Sequence, residues 1–169
     1  MTLLEVDDVS HRFGGAYALG HVSLTAAAGQ VTGIIGPNGA GKTTLFEVIA
    51  GGLRPEAGTV RLDGADLGTT SPVGRARLGI GRTFQRLEPF GSLTVGESIA
   101  LATGGRSAAR VDDIVELLGL ERFVDVRTDQ LPTGHARLAE LARTLAIEPR
   151  VVLLDEPASG LDEAETDRL

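Results

Sequence analysis

The sequence predicts an α/β fold in which a core of strands and helices is interrupted by a helix-rich insert. Three observations carry that expectation. Short apolar runs read as buried strands at 30–35 and at 151–154. A glycine-rich turn joins the first of them directly to a helix, and between the two, over 87–146, the apolar spacing becomes helical.

The elements follow in chain order. Residues 3–9 alternate enough for a strand, and 22–26 read as a second. Residues 30–35 form an apolar run that stops at glycine, the pattern of a buried strand. A helix is expected over 43–50, opened by Thr43 and Thr44, carrying Leu45, Phe46, Val48 and Ile49, and closed by Gly51 and Gly52. Short strands are expected at 58–62 and 80–83, and helices at 95–102 and 111–118. The helix at 133–145 has the clearest period, with Leu138, Leu141, Ala142 and Leu145 at i, i+3, i+4 and i+7. A strand at 151–154 precedes Asp155 and Glu156, and 163–169 begin another helix. There is no internal repeat and no low-complexity linker.

Composition bounds the function. A chain of 169 residues suits one domain, or one domain with an insert, and 42% apolar with 23% charged residues is a globular mix. No apolar run reaches the roughly 18 residues of a membrane span. The early acids and the missing basic region argue against a signal peptide. No cysteine is present, which excludes disulfides and thiolate metal sites. A net charge of −7 makes general nucleic-acid binding a poor fit. Together these features predict a soluble, cytoplasmic chain. Lys42 is the single lysine among 16 basic residues, so its ammonium group stands out from a surface otherwise served by arginine.

Lys42 lies in the stretch Gly36, Pro37, Asn38, Gly39, Ala40, Gly41, Lys42, Thr43 and Thr44, which matches the phosphate-loop pattern G-x-x-x-x-G-K-[ST]. Glycines at 36, 39 and 41 let backbone N–H groups turn inward around an anion. The following helix aims its positive end at the same place. Lys42 can reach the β- and γ-phosphates, and the Thr43 hydroxyl is a hard oxygen ligand for Mg²⁺. The strand ending in Asp155 and Glu156 adds a carboxylate able to hold Mg²⁺ and a second able to accept a proton from an attacking water. A glycine-rich turn without ligand and a solvated acidic turn are the plain alternatives. Gln85, after the 80–83 strand, can orient water or contact the metal; a polar linker residue is its plain alternative.

Taken in order, five motifs resemble the ATP-binding subunit of ABC transporters over essentially the whole chain. They are the phosphate loop at 36–43, Gln85 within 82–86, a signature-like stretch at 131–135, the acids within 154–157, and 158–162 ending in Asp162. The resemblance implies a P-loop NTPase (RecA-like) core with antiparallel N-terminal strands and an inserted helical subdomain. It divides the chain into the N-terminal part of an ATP-binding core at 1–86, a helical signature subdomain at 87–146, and returning core at 147–169. It implies ATP and Mg²⁺ as ligands, Glu156 as base, and Lys42 and Gln85 in catalysis. Thr43, Gln85 and Asp155 would hold the metal, and Thr133 with Gly134 would touch the γ-phosphate of a partner's nucleotide. Gln85 would link nucleotide state to the membrane subunit, and Asp162 would cross to the partner. Phe13, 29 residues before Lys42, stands where the family stacks an aromatic on adenine, with Tyr17 as substitute and a core phenylalanine as the alternative.

The implied partners are a second ATP-binding subunit, transmembrane permease subunits and, indirectly, a solute-binding protein, on the inner face of the cell membrane. Residues 81–98, together with 157–162, look like the importers for branched-chain amino acids and related amides. Two departures stand out. The family signature is Leu-Ser-Gly-Gly-Gln, whereas here it is Leu131, Pro132, Thr133, Gly134 and His135. Thr133 is the nearest hydroxyl, and His135 reads as a polar residue of a helix start. The family also has a further strand, ending in a switch histidine, whereas His11, His21 and His135 all precede Asp155. The chain is therefore expected to lack the last part of the core, leaving its sheet short of a central partner for the strand at 30–35. A non-catalytic nucleotide-binding module and a soluble ABC protein of translation or repair are the competing functions.

Overall fold

The computed structural model describes residues 2–83, 91–104, 108–159 and 166. It falls into two compact units, Met1–Ile80 and Gly81–Leu169.

In the first unit the expected strands at 3–9 and 22–26 are parts of a longer hairpin, β1 (Thr2–Phe13) and β2 (Ala16–Ala27). Its tip is Gly14 and Gly15, with φ 54° and 88°. Two consecutive positive φ values are what a tight two-residue hairpin turn with the native strand twist requires, and glycine adopts them without a Cβ clash. β3 (Ala57–Leu62) pairs with the other edge of β1, and a two-residue β4 (Ala65–Asp66), absent from the sequence expectation, extends the sheet. The order is β2-β1-β3-β4, antiparallel throughout.

Leu4 and Val6 lie opposite Leu62 and Val60, and all four are buried. Strict alternation would then send Val9 to the exposed face. The register instead shifts between Val6 and Val9, where Asp8 has φ 50°, and Val9 is fully buried. An inserted residue at a bulge resets the phase of a strand in this way. Gly58 faces the bulge, and a Cβ there would overlap the carbonyl oxygens of Asp7 and Asp8.

The helix α1 (Lys42–Ala50) begins one residue earlier than expected and buries Leu45, Val48 and Ile49. It ends at Gly51, which takes the left-handed conformation usual at a helix C-terminus. A second helix, α2 (Pro72–Arg77), was not expected. Its signal is present: the Ser71 hydroxyl accepts a hydrogen bond from the Gly74 amide, and Pro72 opens the helix.

The strand expected at 30–35 does not form. Residues 30–37 carry no strand structure, and Val31 and Ile35 are 102% and 99% exposed. The residues are apolar enough for a buried strand, but among the described residues no strand pairs with them. A ladder needs a neighbour, and apolar character alone does not supply one.

β5 (Ile80–Arg82), all but its first residue in the second unit, pairs with β6 (Val151–Leu153), each one residue shorter than expected, and the Thr83 amide donates to the Leu153 carbonyl at 3.0 Å. Three helices pack together beside them: α3 (Val95–Ala102), α4 (Ala108–Leu118) and α5 (Thr133–Ala146). Their core contains Val95, Ile99, Ile114, Leu118, Leu138 and Ala142. The period of 133–145 is realised, since Leu138, Leu141 and Ala142 are buried and Leu145 packs against the cluster. Thr94 caps α3 in a reciprocal pair: its hydroxyl accepts from the Glu97 amide, and the Glu97 carboxylate accepts from the Thr94 amide. The helix expected at 163–169 lies outside the described residues apart from Thr166.

Candidate functional site

The first unit carries the phosphate-loop residues in the turn before α1. Gly39 and Gly41 have φ 82° and 89°, in the left-handed region. Gly36 serves differently: its φ is ordinary, and a Cβ there would approach the Ala40 methyl to 3.2 Å. The Ala40 amide donates to the Pro37 carbonyl at 3.2 Å, closing the turn, and residues 36–40, Asn38 included, are exposed. α1 starts immediately, with the Leu45 amide donating to the Gly41 carbonyl. Gly41 is the N-cap and has no side chain with which to cap the helix. The first-turn amides of Lys42, Thr43 and Thr44 therefore face outward at the positive end of the helix, a ready anion site.

The Lys42 ammonium is folded over this loop and donates to the Gly36 carbonyl at 2.7 Å and the Pro37 carbonyl at 3.0 Å. Both acceptors are neutral carbonyls. An arriving phosphate offers the same ammonium a charge-assisted bond, which is the stronger of the two.

β2 lies tight against this loop. A Cβ on Gly41 would overlap the Ala18 carbonyl oxygen and come to 3.0 Å from Leu19 Cδ2. The end of the hairpin that carries Phe13 and Tyr17 is thus joined within a few residues to the phosphate loop. Phe13 is 54% exposed, which rules out a core position, and its ring meets His11 edge-on at 4.7 Å. Tyr17 is more exposed still, and the Arg12 guanidinium lies 5.3 Å from its ring centre. Arg12 donates in turn to Glu56 at 2.8 Å, and that carboxylate raises the pKa of the guanidinium further. Of the two rings, Phe13 has no cation stacked on it among the described contacts.

The second unit carries the acids. β6 delivers Asp155 into a buried position, 6% exposed, and its Oδ2 has no hydrogen-bond partner among the described residues. A carboxylate oxygen kept from water with no donor beside it suits a cation. Its oxygen is the donor type that a hard divalent ion such as Mg²⁺ takes. Glu156 is exposed and has φ 49°, in the left-handed region that Asp8, His21, Asp63 and Glu148 also adopt.

Thr133 stands exposed at the first residue of α5, whose N-cap, Pro132, contributes no side-chain bond; Gly134 behind it is buried. His135, in the first turn of α5, packs its ring 4.1 Å from that of Phe123. Gln85 and Asp162 lie outside the described residues. Sequence reasoning missed Arg75, a buried arginine in α2 bonded to the carbonyl end of α1. The position of α2 beside α1 is a tertiary fact, and no local pattern announces it.

Known proteins resemble this chain in sequence and in fold. Residues 19–159 match the family model described as ABC transporter. The sulfate/thiosulfate import ATP-binding protein CysA of Mycobacterium tuberculosis is 37% identical over 163 residues, covering 93% of this chain and 46% of that protein. The Fe(3+) ions import ATP-binding protein FbpC 3 of Rhodococcus jostii is 40% identical over 162 residues, covering 94% of this chain and 47% of that protein. The chain thus spans about half the length of the curated relatives it matches. Among solved structures, a nucleotide-free ATP-binding cassette from an ABC transporter superposes with a TM-score of 0.87 at 30% identity, over 99% of this chain and 74% of that one. The ADP conformation of an ATP-binding cassette gives 0.85 at 32% identity, with the same coverage.

Proposed function

The chain belongs to the ABC transporter family, and from that premise we propose that it is the ATP-binding and ATP-hydrolysing part of an importer. The observation that carries this reading is the uncapped start of α1, with Lys42 resting on two loop carbonyls that a phosphate can replace.

In this mechanism the amides of 39–44 and the Lys42 ammonium bind and orient the β- and γ-phosphates, and Phe13 stacks on the adenine face. Thr43, Asp155 and Gln85 are the residues that would hold Mg²⁺, which would screen phosphate charge and polarise the γ-phosphoryl group. Glu156 accepts the proton of the attacking water. A second ATP-binding subunit engages through Thr133, Gly134 and Asp162. The Gln85 segment passes the nucleotide state to permease subunits, which places the protein peripherally on the inner membrane face and couples it indirectly to a solute-binding protein.

The cargo expectation changes. Residues 81–98 suggested branched-chain amino acids, but 84–90 lie outside the described residues. The relatives named above are importers of sulfate or thiosulfate and of Fe(3+). Their names favour an inorganic ion as cargo in place of an amino acid.

Titration with a fluorescent ATP analogue in the presence of Mg²⁺ tests the binding step. Saturable binding is expected, weakened more than about ten-fold in Lys42→Ala, the worth of one strong charge-assisted bond. Absent binding, or equal binding by the variant, overturns the reading. With permease present, vanadate-sensitive turnover is expected to vanish in Glu156→Gln while binding survives. Pro132 in place of the signature serine favours a second reading, a nucleotide-binding module without turnover. Binding by the parent with no turnover under those conditions would select it.

A further inference from the structure

Arg75 is 3% exposed, and every hydrogen bond recorded for its guanidinium goes to a main-chain carbonyl. Nη1 donates to Val48 at 2.7 Å and to Ile49 at 2.8 Å, Nη2 to Leu67 at 2.8 Å, and Nε to Thr70 at 3.2 Å. Val48 and Ile49 belong to the last turn of α1, where helical carbonyls have no partner within the helix. Leu67 and Thr70 belong to the turn between β4 and α2. One side chain therefore ties the carbonyl end of α1 to the segment that follows the sheet.

Burial lowers the pKa of this guanidinium, against a weaker opposing effect of Asp66, yet arginine stays charged in proteins. A buried cation with only carbonyls for partners is costly to keep for structure alone. Gly51 already ends the helix and donates its own amide to the Val48 carbonyl. Gly51 also makes room for the arginine, since a Cβ there would lie 2.9 Å from both Cδ and Nε of Arg75.

α1 is nine residues long. Its amino end is the phosphate loop and its carbonyl end is the arginine clamp. A helix this short is marginal by itself, so its orientation depends on what holds it. The two ends are about 14 Å apart, beyond the roughly 8 Å over which physiological salt leaves charges unscreened. Direct attraction between the guanidinium and a phosphate is therefore the lesser effect, and the placement of the helix is the greater.

We propose that Arg75 is a positioning residue for nucleotide binding: by clamping the carbonyl end of α1 it holds the amino end, and with it the phosphate loop, in the geometry that receives phosphate. The inference rests on the nucleotide-binding reading above. It makes the affinity for nucleotide depend on a side chain that never touches it.

The test compares the parent with Arg75→Met, Arg75→Lys and Val60→Ala, by titration with the same Mg²⁺–ATP analogue and by thermal melting of each protein. Val60 is buried in β3 and does not bond Arg75, and a side-chain truncation keeps its main-chain bond to Leu67, so the variant measures what instability of this unit does by itself. Arg75→Met is expected to weaken binding about ten-fold while still folded, near the upper range for residues coupled to a site they do not contact. Arg75→Lys keeps the charge but not the fork of donors, and it is expected to recover part of that loss. Val60→Ala is expected to melt earlier and bind as the parent does. Binding in both Arg75 variants equal to the parent's overturns the inference, as does a loss in Val60→Ala as large as that in Arg75→Met. Should Arg75→Met fail to fold, Arg75→Lys decides alone: weakened binding supports the clamp and unchanged binding rejects it. A parent that does not bind the analogue overturns the underlying reading, and the inference with it.

Discussion

The two left-handed glycines of the phosphate loop provide a sharp test, because the structure separates their reasons. Gly39 has φ 82°, and nothing lies within 4 Å of where its Cβ would be. Gly41 has φ 89°, and its Cβ would overlap the Ala18 carbonyl oxygen of β2 and press on Leu19 Cδ2. Gly39→Ala therefore incurs only backbone strain, about 1–2 kcal/mol, offset by about 0.4–1 kcal/mol from a less flexible unfolded chain. The net cost is below about 1.5 kcal/mol. Gly41→Ala incurs the same strain plus the displacement of a paired strand, about 1–3 kcal/mol for overpacking, or about 3 kcal/mol in all. Urea unfolding with a slope near 1.5 kcal/mol/M should then lower the Gly41→Ala midpoint by about 2 M, and the Gly39→Ala midpoint by less than about 1 M. Tyr17 fluorescence reports this unit, since the chain has one tyrosine and no tryptophan. On the proposed nucleotide-binding reading both variants should lose nucleotide affinity, since each disturbs the left-handed backbone of the loop. Equal midpoints for the two variants would refute the claim that β2 and the loop are in contact.

Two further outcomes follow from the second unit. Ile99 is fully buried among the three helices, and Ile99→Ala should cost about 3–4 kcal/mol through lost burial and a residual cavity; a loss under about 1 kcal/mol by far-UV dichroism would deny the cluster its role as this unit's core. Asp155→Asn removes a buried charge whose Oδ2 has no partner, so without Mg²⁺ the variant should melt at or above the parent's temperature, while added Mg²⁺ should no longer tighten ATP binding; an earlier melt with the Mg²⁺ effect intact would contradict the assignment of this carboxylate to the metal.

Much of the site was legible because its signals are local. A glycine that must take positive φ, a lysine beside it, a threonine at a helix start and acids at a strand end are chemical requirements written within a few residues. The helices at 95–102 and 133–145 were legible for the same reason, as their apolar period and caps lie within one element. The placement of Phe13 outside the core was less so, because an aromatic near a hairpin tip can fold either way until β2 meets the phosphate loop.

The chain by itself determined where the strongly periodic helices lie, where a glycine-rich turn meets a helix start, and which side chains carry phosphate-compatible chemistry, since conformational preference and functional-group chemistry belong to each residue. Tertiary structure alone decided that Asp8 inserts a bulge and turns Val9 inward, that Arg75 grips the far end of α1, and that 30–35 pairs with no strand among the described residues. A strand exists only when a neighbour supplies the other half of its hydrogen bonds, and a buried charge only when distant carbonyls converge on it.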